Sequence, residues 1–275
     1  MTANRIQKTA AQVADTATFI YSPPPAAQDA KQILVKPNLG YPVGPPATVS
    51  MSVLSKVLAG LRNASPQAEI LIVEGVCSPK PLSEIASRNG LYDILTDGMQ
   101  LIDADTLPMV PYPNRLETPV RFKEMMAPKL LQEVDCCISV GAFKITSLKG
   151  RPLLSASLKN LYGLFPRAKY KARSAHSRGQ LHRPSVPQIL QDVYFSIGHL
   201  FDGAVVDCNQ KFISKDWRPD RGDAFDIGKV IWGEDLLAVD SQACQVGGEP
   251  EAKYLQSIAQ RRDLFPTHSF QKGDA

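Results

Sequence analysis

The sequence has no acidic residue between Asp135 and Asp192, although the whole chain of 275 residues contains 27. The same stretch holds ten of the 31 Lys and Arg residues and two of the four His residues. Outside it, 27 acidic residues face only 21 basic ones (31 less ten). The net charge of +4 therefore conceals one strongly positive stretch. Such a local asymmetry predicts an anionic partner.

Long apolar runs, cysteine motifs and glycine-rich nucleotide motifs are also missing. No apolar run approaches the ~18 to 20 residues of a membrane-spanning helix. The polar residues 1–30 predict a poorly ordered segment without a secretory signal. Five cysteines without C-x-x-C spacing argue against disulfides and iron–sulfur clusters, and predict a reducing, cytoplasmic location. Without a G-x-G-x-x-G, P-loop or H-E-x-x-H motif, we expect no cofactor and no resident metal.

The apolar pattern predicts an α/β protein. Residues 33–35 and 69–74 are typical of buried strands, and residues 49–62 have the apolar spacing of a helix that Thr48 could cap. A strand, helix and strand within about 40 residues form a βαβ unit, which makes the two strands parallel. We expect a mostly parallel or mixed sheet with helices on both faces, in a single domain over residues 31–265.

Three later segments complete the predicted elements. Residues 134–140 are typical of a further buried strand, on which the adjacent Cys136 and Cys137 point to opposite faces of the sheet. Residues 153–164 have leucines at helical spacing and predict a helix that ends near a glycine and a proline. Residues 209–222 predict a polar loop.

Polar side chains follow two of the predicted strands. Lys36 and Asn38 come after the first strand, and Lys144 comes after the strand at 134–140. Ligands of α/β sheets bind beyond the carboxyl ends of the strands. We therefore expect these residues to form one crevice together with Lys159 and Asn160. A surface lysine and a turn-forming asparagine are the alternative for Lys36 and Asn38.

Residues 167–183, the basic segment, carry six Lys or Arg residues and two histidines. The segment has three interpretations: a lid over an anionic substrate, a solvated loop, or an arm that binds nucleic acid. As a lid, it would bring Arg173 and His182 to the substrate and His176 as general acid. Tyr170 is the only aromatic residue available for base stacking, so nucleic acid is the least favoured partner.

Four motifs in this order resemble the DUF-362 family, whose name denotes a domain of unknown function. They are Lys36-Pro37-Asn38, similar to the family's KPN; Gly141 to Lys144, similar to KxKTH; Ser157 to Gly163, similar to LKNLFG; and Trp232 to Asp240, similar to GxDPxAVD. The resemblance covers residues 30 to 250 and implies an α/β fold and the same pocket, but no reaction. Ile145-Thr146 stands where the family often has Thr-His, so a histidine is missing there. Some relatives carry a ferredoxin-like iron–sulfur module, and the cysteines of this chain do not imply one.

The first functional hypothesis is an enzyme that acts on a small carboxylate or phosphate. Lys36, Lys144 and Lys159 would surround the anion, while Asn38 and Asn160 would bind the substrate by hydrogen bonds. Neighbouring positive charges lower the pKa of a buried lysine. Lys144 or Lys159 could then act as base or nucleophile in proton-transfer, isomerase or lyase chemistry.

Two further hypotheses use other residues. Glu74, Asp207 and Asp240, with a histidine, could hold a divalent metal ion. Asp240 could instead bind substrate beside the lysines, or only satisfy the backbone of a helix. The third hypothesis is a module whose basic segment binds nucleic acid or an acidic partner. We favour the first, with a small anionic molecule as partner, no nucleic acid and no membrane, and leave a homo-oligomer open.

Overall fold

The computed structural model of the protein describes residues 10–148, 151–215 and 221–264. The strands are β1 (Gln12–Asp15), β2 (Gln32–Pro37), β3 (Glu69–Glu74), β4 (Met99–Asp103), β5 (Met109–Pro113), β6 (Glu124–Pro128), β7 (Cys136–Leu148), β8 (Arg151–Ser155), β9 (Gly203–Ser214) and β10 (Gly222–Gly233). The helices are α1 (Met51–Ala64), α2 (Leu82–Arg88), α3 (Leu130–Glu133), α4 (Ser157–Asn160), α5 (Arg167–Tyr170), α6 (Val186–Ser196), α7 (Leu236–Val246) and α8 (Lys253–Arg262). Short 3-10 turns lie at Pro25–Ala27, Leu91–Asp93, Ala104–Thr106, Leu161–Leu164, Gly179–His182 and Gly198–Leu200.

A mixed sheet of eight strands forms the centre of the molecule. Its order is β1-β10-β9-β7-β2-β3-β4, with β8 paired to β7. The five strands from β9 to β4 in this order run parallel, while β1, β10 and β8 pair antiparallel with their neighbours. A separate antiparallel pair consists of β5 and β6. The predicted mostly parallel or mixed sheet is confirmed.

Helices cover both faces of the sheet, as predicted. Along β2, Ile33 and Val35 pack into the same apolar cluster as α1, whereas Leu34 packs with α6, α7 and α8 on the opposite face. The alternation follows from the two-residue period of a strand. The adjacent Cys136 and Cys137 separate in the same way, and both are fully buried.

Helix α1 connects β2 to β3 and completes the predicted βαβ unit. Its buried side chains recur at helical spacing, at Val53, Leu54, Val57, Leu58 and Leu61. The cap is Ser50, whose Oγ accepts a hydrogen bond from the Val53 amide at 3.3 Å. The predicted cap, Thr48, instead donates its hydroxyl to the carbonyl of Val43. Helix α1 therefore begins and ends two residues later than predicted.

Residues 10–30 differ from the expectation of a poorly ordered segment, while residues 1–9 lie outside the described part of the chain. Strand β1 pairs with β10, and Phe19 and Tyr21 are buried. The Phe19 ring packs against Trp232 with 5.0 Å between ring centroids. Because these partners lie about 200 residues further along the chain, the local pattern gave no sign of them. A single domain over 31–265 remains a prediction.

Three further segments also differ from their predicted structure. Residues 153–164, predicted as one helix, form the end of β8, then α4 and a 3-10 turn. Strand β7 continues to Leu148, beyond the predicted end at 140. Of the predicted loop at 209–222, residues 209–214 belong to β9 and Gly222 begins β10, while residues 216–220 lie outside the described ranges. Within those ranges, no helix combines the length and apolar character needed to cross a membrane.

Candidate functional site

The order of the strands reverses its direction between β2 and β7, where the predicted lysines lie. From β2 the chain moves to β3 and β4 on one side, and β7 then adds to the other side of β2. Such a reversal of direction opens a crevice beyond the carboxyl ends of the two central strands. Lys36 lies at the end of β2, and Lys144 lies on β7 beyond the last pairing between the two strands, Pro37 with Val140.

Lys36 and Glu74 form a buried ion pair at this edge. Their Nζ and Oε1 atoms are 2.7 Å apart, and the two side chains are 1% and 3% exposed. Lys36 Nζ also donates to Asn160 Oδ1 at 3.0 Å and to the Pro37 carbonyl at 2.8 Å. Burial lowers the pKa of Lys36, and the Glu74 carboxylate opposes that change. With all three ammonium protons in use, Lys36 organises the site rather than presenting a free donor.

Glu74 connects the loops on either side of the ion pair. Its Oε2 accepts the amide of Leu39 at 2.7 Å, and its Oε1 accepts the amide of Gly75 at 2.8 Å. The backbone at Gly163 lies directly against the pair. A β-carbon at Gly163 would be 2.7 Å from Lys36 Cε and would also collide with Glu74 Oε1. The glycine therefore permits this close approach.

Hydrogen bonds link Lys36 to Lys144 through two asparagines. Lys144 Nζ donates to Asn38 Oδ1 at 3.0 Å and to the Ala47 carbonyl at 2.6 Å. Asn38 Nδ2 donates to Asn160 Oδ1 at 3.4 Å, and Asn160 Nδ2 donates to the Lys36 carbonyl at 2.7 Å. Four of the residues predicted from strand ends and motifs therefore meet in one network.

Lys144 has the most strongly altered ionisation in this network. Burial, and next the positive charge of Lys159, lower its pKa from 10.5 to about 7. Glu74 partly opposes this effect. The hydrogen-bond acceptors of Lys144 are neutral oxygens, so no carboxylate directly pairs with its ammonium among the described residues. At neutral pH, a substantial fraction of Lys144 is an uncharged amine that can accept a proton.

Lys159 lies over the ring of Tyr162 and completes the lysine cluster of Lys36, Lys144 and Lys159. Its Nζ is 5.3 Å from the centre of the Tyr162 ring, and no described residue forms a hydrogen bond or ion pair with it. Burial lowers the pKa of Lys159. The ring of His182 stacks on Tyr162 with 6.1 Å between centroids. Packing around the His182 ring and the charge of Lys159 lower the pKa of this solvent-accessible histidine.

Two of the predicted carboxylates accept hydrogen bonds from residues at the beginning of a helix. Asp240, fully buried, accepts the Ser157 amide at 2.8 Å, the Ser157 hydroxyl at 2.5 Å and the Leu158 amide at 3.1 Å. Burial raises the pKa of Asp240 to about 6, although these hydrogen bonds oppose the rise. Asp207 Oδ2 accepts the Ser50 amide and hydroxyl at 2.9 and 2.6 Å. In the described ranges, no group of three or more His, Cys, Asp or Glu residues could hold a metal ion.

The basic segment is anchored at Arg178 and exposed in its middle. Arg178 is 4% exposed and donates to four carbonyl groups, those of Gly75, Val76, Gly163 and Phe165. Arg173 and His176 are exposed, and no described contact joins them to the lysine cluster. The contacts thus give no support to His176 as general acid or Arg173 as a substrate ligand. Whether the segment is a lid or a solvated loop stays open.

Sequence reasoning overlooked Cys77 and Arg178. Cys77 follows β3, is exposed, and its Sγ lies 3.3 Å from Arg178 Nη1. A negative charge on Cys77 would raise the pKa of all three lysines of the cluster, so the sulfur lies within their electrostatic reach. The sequence offered one signal for Cys77, which is its position directly after the end of a predicted parallel strand at Glu74.

These features define an α/β protein with a lysine cluster at the switch point of a mixed sheet. The chain belongs to the DUF362 family, a domain of unknown function, which matches residues 33–245 and confirms the predicted resemblance. No curated protein matches the sequence. Solved structures similar to the chain include the lactate racemase apoprotein from Thermoanaerobacterium thermosaccharolyticum, with 16% identity and a TM-score of 0.48. That match covers 80% of this chain and 49% of the racemase chain, so this chain spans about half of it.

Proposed function

We propose that the protein is an enzyme that binds a small carboxylate or phosphate beside Lys144 and Lys159. The observation that carries this proposal is the pair of ammonium groups itself. Lys159 has no hydrogen-bonding or ionic partner among the described residues, and its charge helps to lower the pKa of Lys144 to about 7. Two neighbouring cations without a carboxylate between them are an unfavourable arrangement that a bound anion would relieve.

The residues divide into those that would touch the substrate and those that hold the site. Lys159 would bind the anionic group, and His182 would contact the substrate from the Tyr162 side. Lys144 in its neutral form would remove a proton from the substrate, with Asn38 holding its amine. Lys36 and its partners in the ion-pair network would fix these positions. This set of groups supports proton-transfer, isomerase or lyase chemistry.

One observation favours the alternative of a binding module. Lys169, Lys171, Arg173 and Arg183 of the basic segment are exposed. An acidic macromolecule could bind there, and its affinity would fall steeply with salt. The cytoplasmic location and a homo-oligomeric state stay predictions.

A thermal-shift experiment tests the proposed site. Sulfate, phosphate and malonate should each be compared with chloride at equal ionic strength. A ligand that binds only the folded protein at 100 times its Kd stabilises it by about 2.7 kcal/mol. We expect at least one of these anions to raise the Tm of the wild type by several degrees, and Lys159→Ala to remove most of that rise.

The matched control is Lys171→Ala, which removes an exposed lysine of the basic segment. This variant should keep the rise in Tm. Equal Tm values in all three anions and in chloride would contradict the proposal. So would equal losses in Lys159→Ala and Lys171→Ala, because they would indicate screening by the whole surface rather than a site.

A further inference from the structure

Helix α4 carries two residues of the candidate site, yet it is too short to hold its own position. It consists of four residues, Ser157–Asn160, and an isolated helix of so few residues does not form in water. Ala156 at its N-cap has no side chain that could accept a hydrogen bond from the first helical amides. The places of Lys159 and Asn160 therefore depend on what the neighbouring elements provide to α4.

Asp240 of α7 provides the acceptors that α4 lacks. Its Oδ1 accepts the amide and the hydroxyl of Ser157, and its Oδ2 accepts the amide of Leu158. Hydrogen bonds to an ionised acceptor are stronger than those between neutral groups. Asp240 is fully buried, so these bonds are shielded from water. The carboxylate of one helix thus caps the start of another.

Strand β7 contacts the start of α4 from a second side. A β-carbon at Gly141 would lie 2.9 Å from the carbonyl carbon of Ala156 and 3.1 Å from the nitrogen of Ser157, so the glycine permits this close approach. Ser139 Oγ donates to the Ser157 carbonyl at 2.9 Å and accepts a hydrogen bond from Asn160 Nδ2 at 3.1 Å. The start of α4 is therefore fixed between α7 and β7.

A continuous series of residues joined by hydrogen bonds leads from Asp240 to Lys144. The intermediate residues are Ser157, Ser139, Asn160 and Asn38. The longest step, between Asn38 Nδ2 and Asn160 Oδ1, is 3.4 Å. A change at Asp240 would thus reach both asparagines of the site through two serines.

We propose that Asp240 is a positioning residue of the candidate site, which sets the places of Lys159 and Asn160 through α4 without touching the substrate. In Asp240→Asn, one donor at the start of α4 would face an NH2 group, which cannot accept its hydrogen bond. The start of α4 would then move, and Lys159 would move with it. The effect on anion binding rests on the proposed function, whereas the placement of Asn160 does not.

The first experiment measures the Kd of sulfate for the full chain by isothermal titration calorimetry at pH 7.5. We expect Asp240→Asn to raise the Kd about tenfold or more, because a hydrogen bond to a charged group contributes about that much. The matched control is Val239→Ala, which removes buried apolar atoms from the adjacent position of α7 and keeps the contacts of Asp240. It should lower the Tm but keep the wild-type Kd. Equal Kd values in the two variants would overturn the inference.

Ser157→Ala tests the same contact while the carboxylate stays in place. It removes the hydroxyl bond to Asp240 and keeps the two amide bonds, so we expect a smaller rise in Kd than in Asp240→Asn. If Asp240→Asn does not fold, Ser157→Ala decides the question, and an unchanged Kd in that variant would overturn the inference.

Nuclear magnetic resonance of the ligand-free protein separates this inference from the proposed function. The side-chain amide signals of Asn160, assigned with Asn160→Ala, should move in Asp240→Asn and stay in place in Val239→Ala. Signals that stay in place in both variants would overturn the inference. If the wild type does not bind sulfate, the proposed function fails, and these signals alone decide whether Asp240 positions Asn160.

Discussion

The buried Lys36 and the half-buried Lys144 lie at the same sheet edge in opposite electrostatic surroundings. Lys36 pairs directly with Glu74, whereas the acceptors of Lys144 are the neutral oxygens of Asn38 and Ala47. The positive charge that remains unbalanced is therefore concentrated at Lys144 and Lys159. A buried ammonium without a counterion loses its proton more readily. This difference supports the proposal that Lys36 organises the site and that Lys144 takes part in the chemistry.

Substitution of Lys144 should change how stability depends on pH. The pKa of Lys144 is about 7 in the folded protein and 10.5 ordinarily. Below pH 7 the folded protein bears the full penalty of the buried charge. Above pH 7 the unfolded chain binds more protons than the folded one, so stability rises with pH until about pH 10.5. In Lys144→Met, this contribution is absent.

Urea denaturation at several pH values can measure this effect. Between pH 7.5 and 9.5, the free energy of unfolding of the wild type should gain about 1 kcal/mol per pH unit relative to Lys144→Met. Lys171→Met, which replaces an exposed lysine, should show a constant difference from the wild type. A constant difference for Lys144→Met as well would mean that Lys144 titrates normally.

At the scale of elements, the Lys36–Glu74 pair connects β2, β3 and the turn at Leu161–Leu164. Glu74 accepts amides from the loops after β2 and β3, while Gly163 lies against the pair without a side chain. The loss of one partner in a buried ion pair leaves the other charge without compensation. The stability of these three elements should therefore depend on both charges together.

We expect Glu74→Gln to lower the free energy of unfolding by about 3 kcal/mol, because Lys36 would remain buried and charged. The double variant Lys36→Met with Glu74→Gln removes that unpaired charge and should recover part of the loss. Guanidinium denaturation of the wild type, both single variants and the double variant measures the coupling. Additive losses would show that the two side chains contribute independently.

Local sequence pattern predicted the elements whose apolar spacing is regular. The strands at 33–35 and 69–74 and helix α1 appear near their predicted places. The helix predicted over 153–164 was wrong for its first three residues, because Leu154 pairs with Ile145 on an extension of β7 that no local pattern indicated, whereas residues 157–164 are helical. A strand partner within a hairpin can override helical spacing.

The sequence predicted those residues of the candidate site that follow the ends of strands. Lys36, Asn38 and Lys144 meet because parallel strands end at one edge of the sheet. Arg178 and Cys77 are 101 residues apart in sequence, and only the folded chain brings them into contact. His176 was proposed because of its place in the basic segment, which carries no information on the direction of its side chain.

For the whole molecule, the described cations of the acid-free stretch from Asp135 to Asp192 differ in their surroundings. Arg178 is buried and supports backbone carbonyls, Lys144 and Lys159 belong to the candidate site, and residues such as Lys171 are exposed. Charge density along the sequence thus overstates the number of groups available to one ligand. We propose that Lys144 and Lys159, and not the exposed cations, form a site for one small anion.

Isothermal titration calorimetry with sulfate at pH 7.5 tests this claim most directly, because sulfate does not titrate near that pH. Repeating the titration in two buffers with different ionisation enthalpies gives the number of protons taken up. We predict that the wild type takes up about half a proton or more per bound sulfate, since the anion raises the pKa of Lys144. Lys144→Met should take up far less. Sulfate binding without proton uptake, or equal uptake in both proteins, would contradict the account.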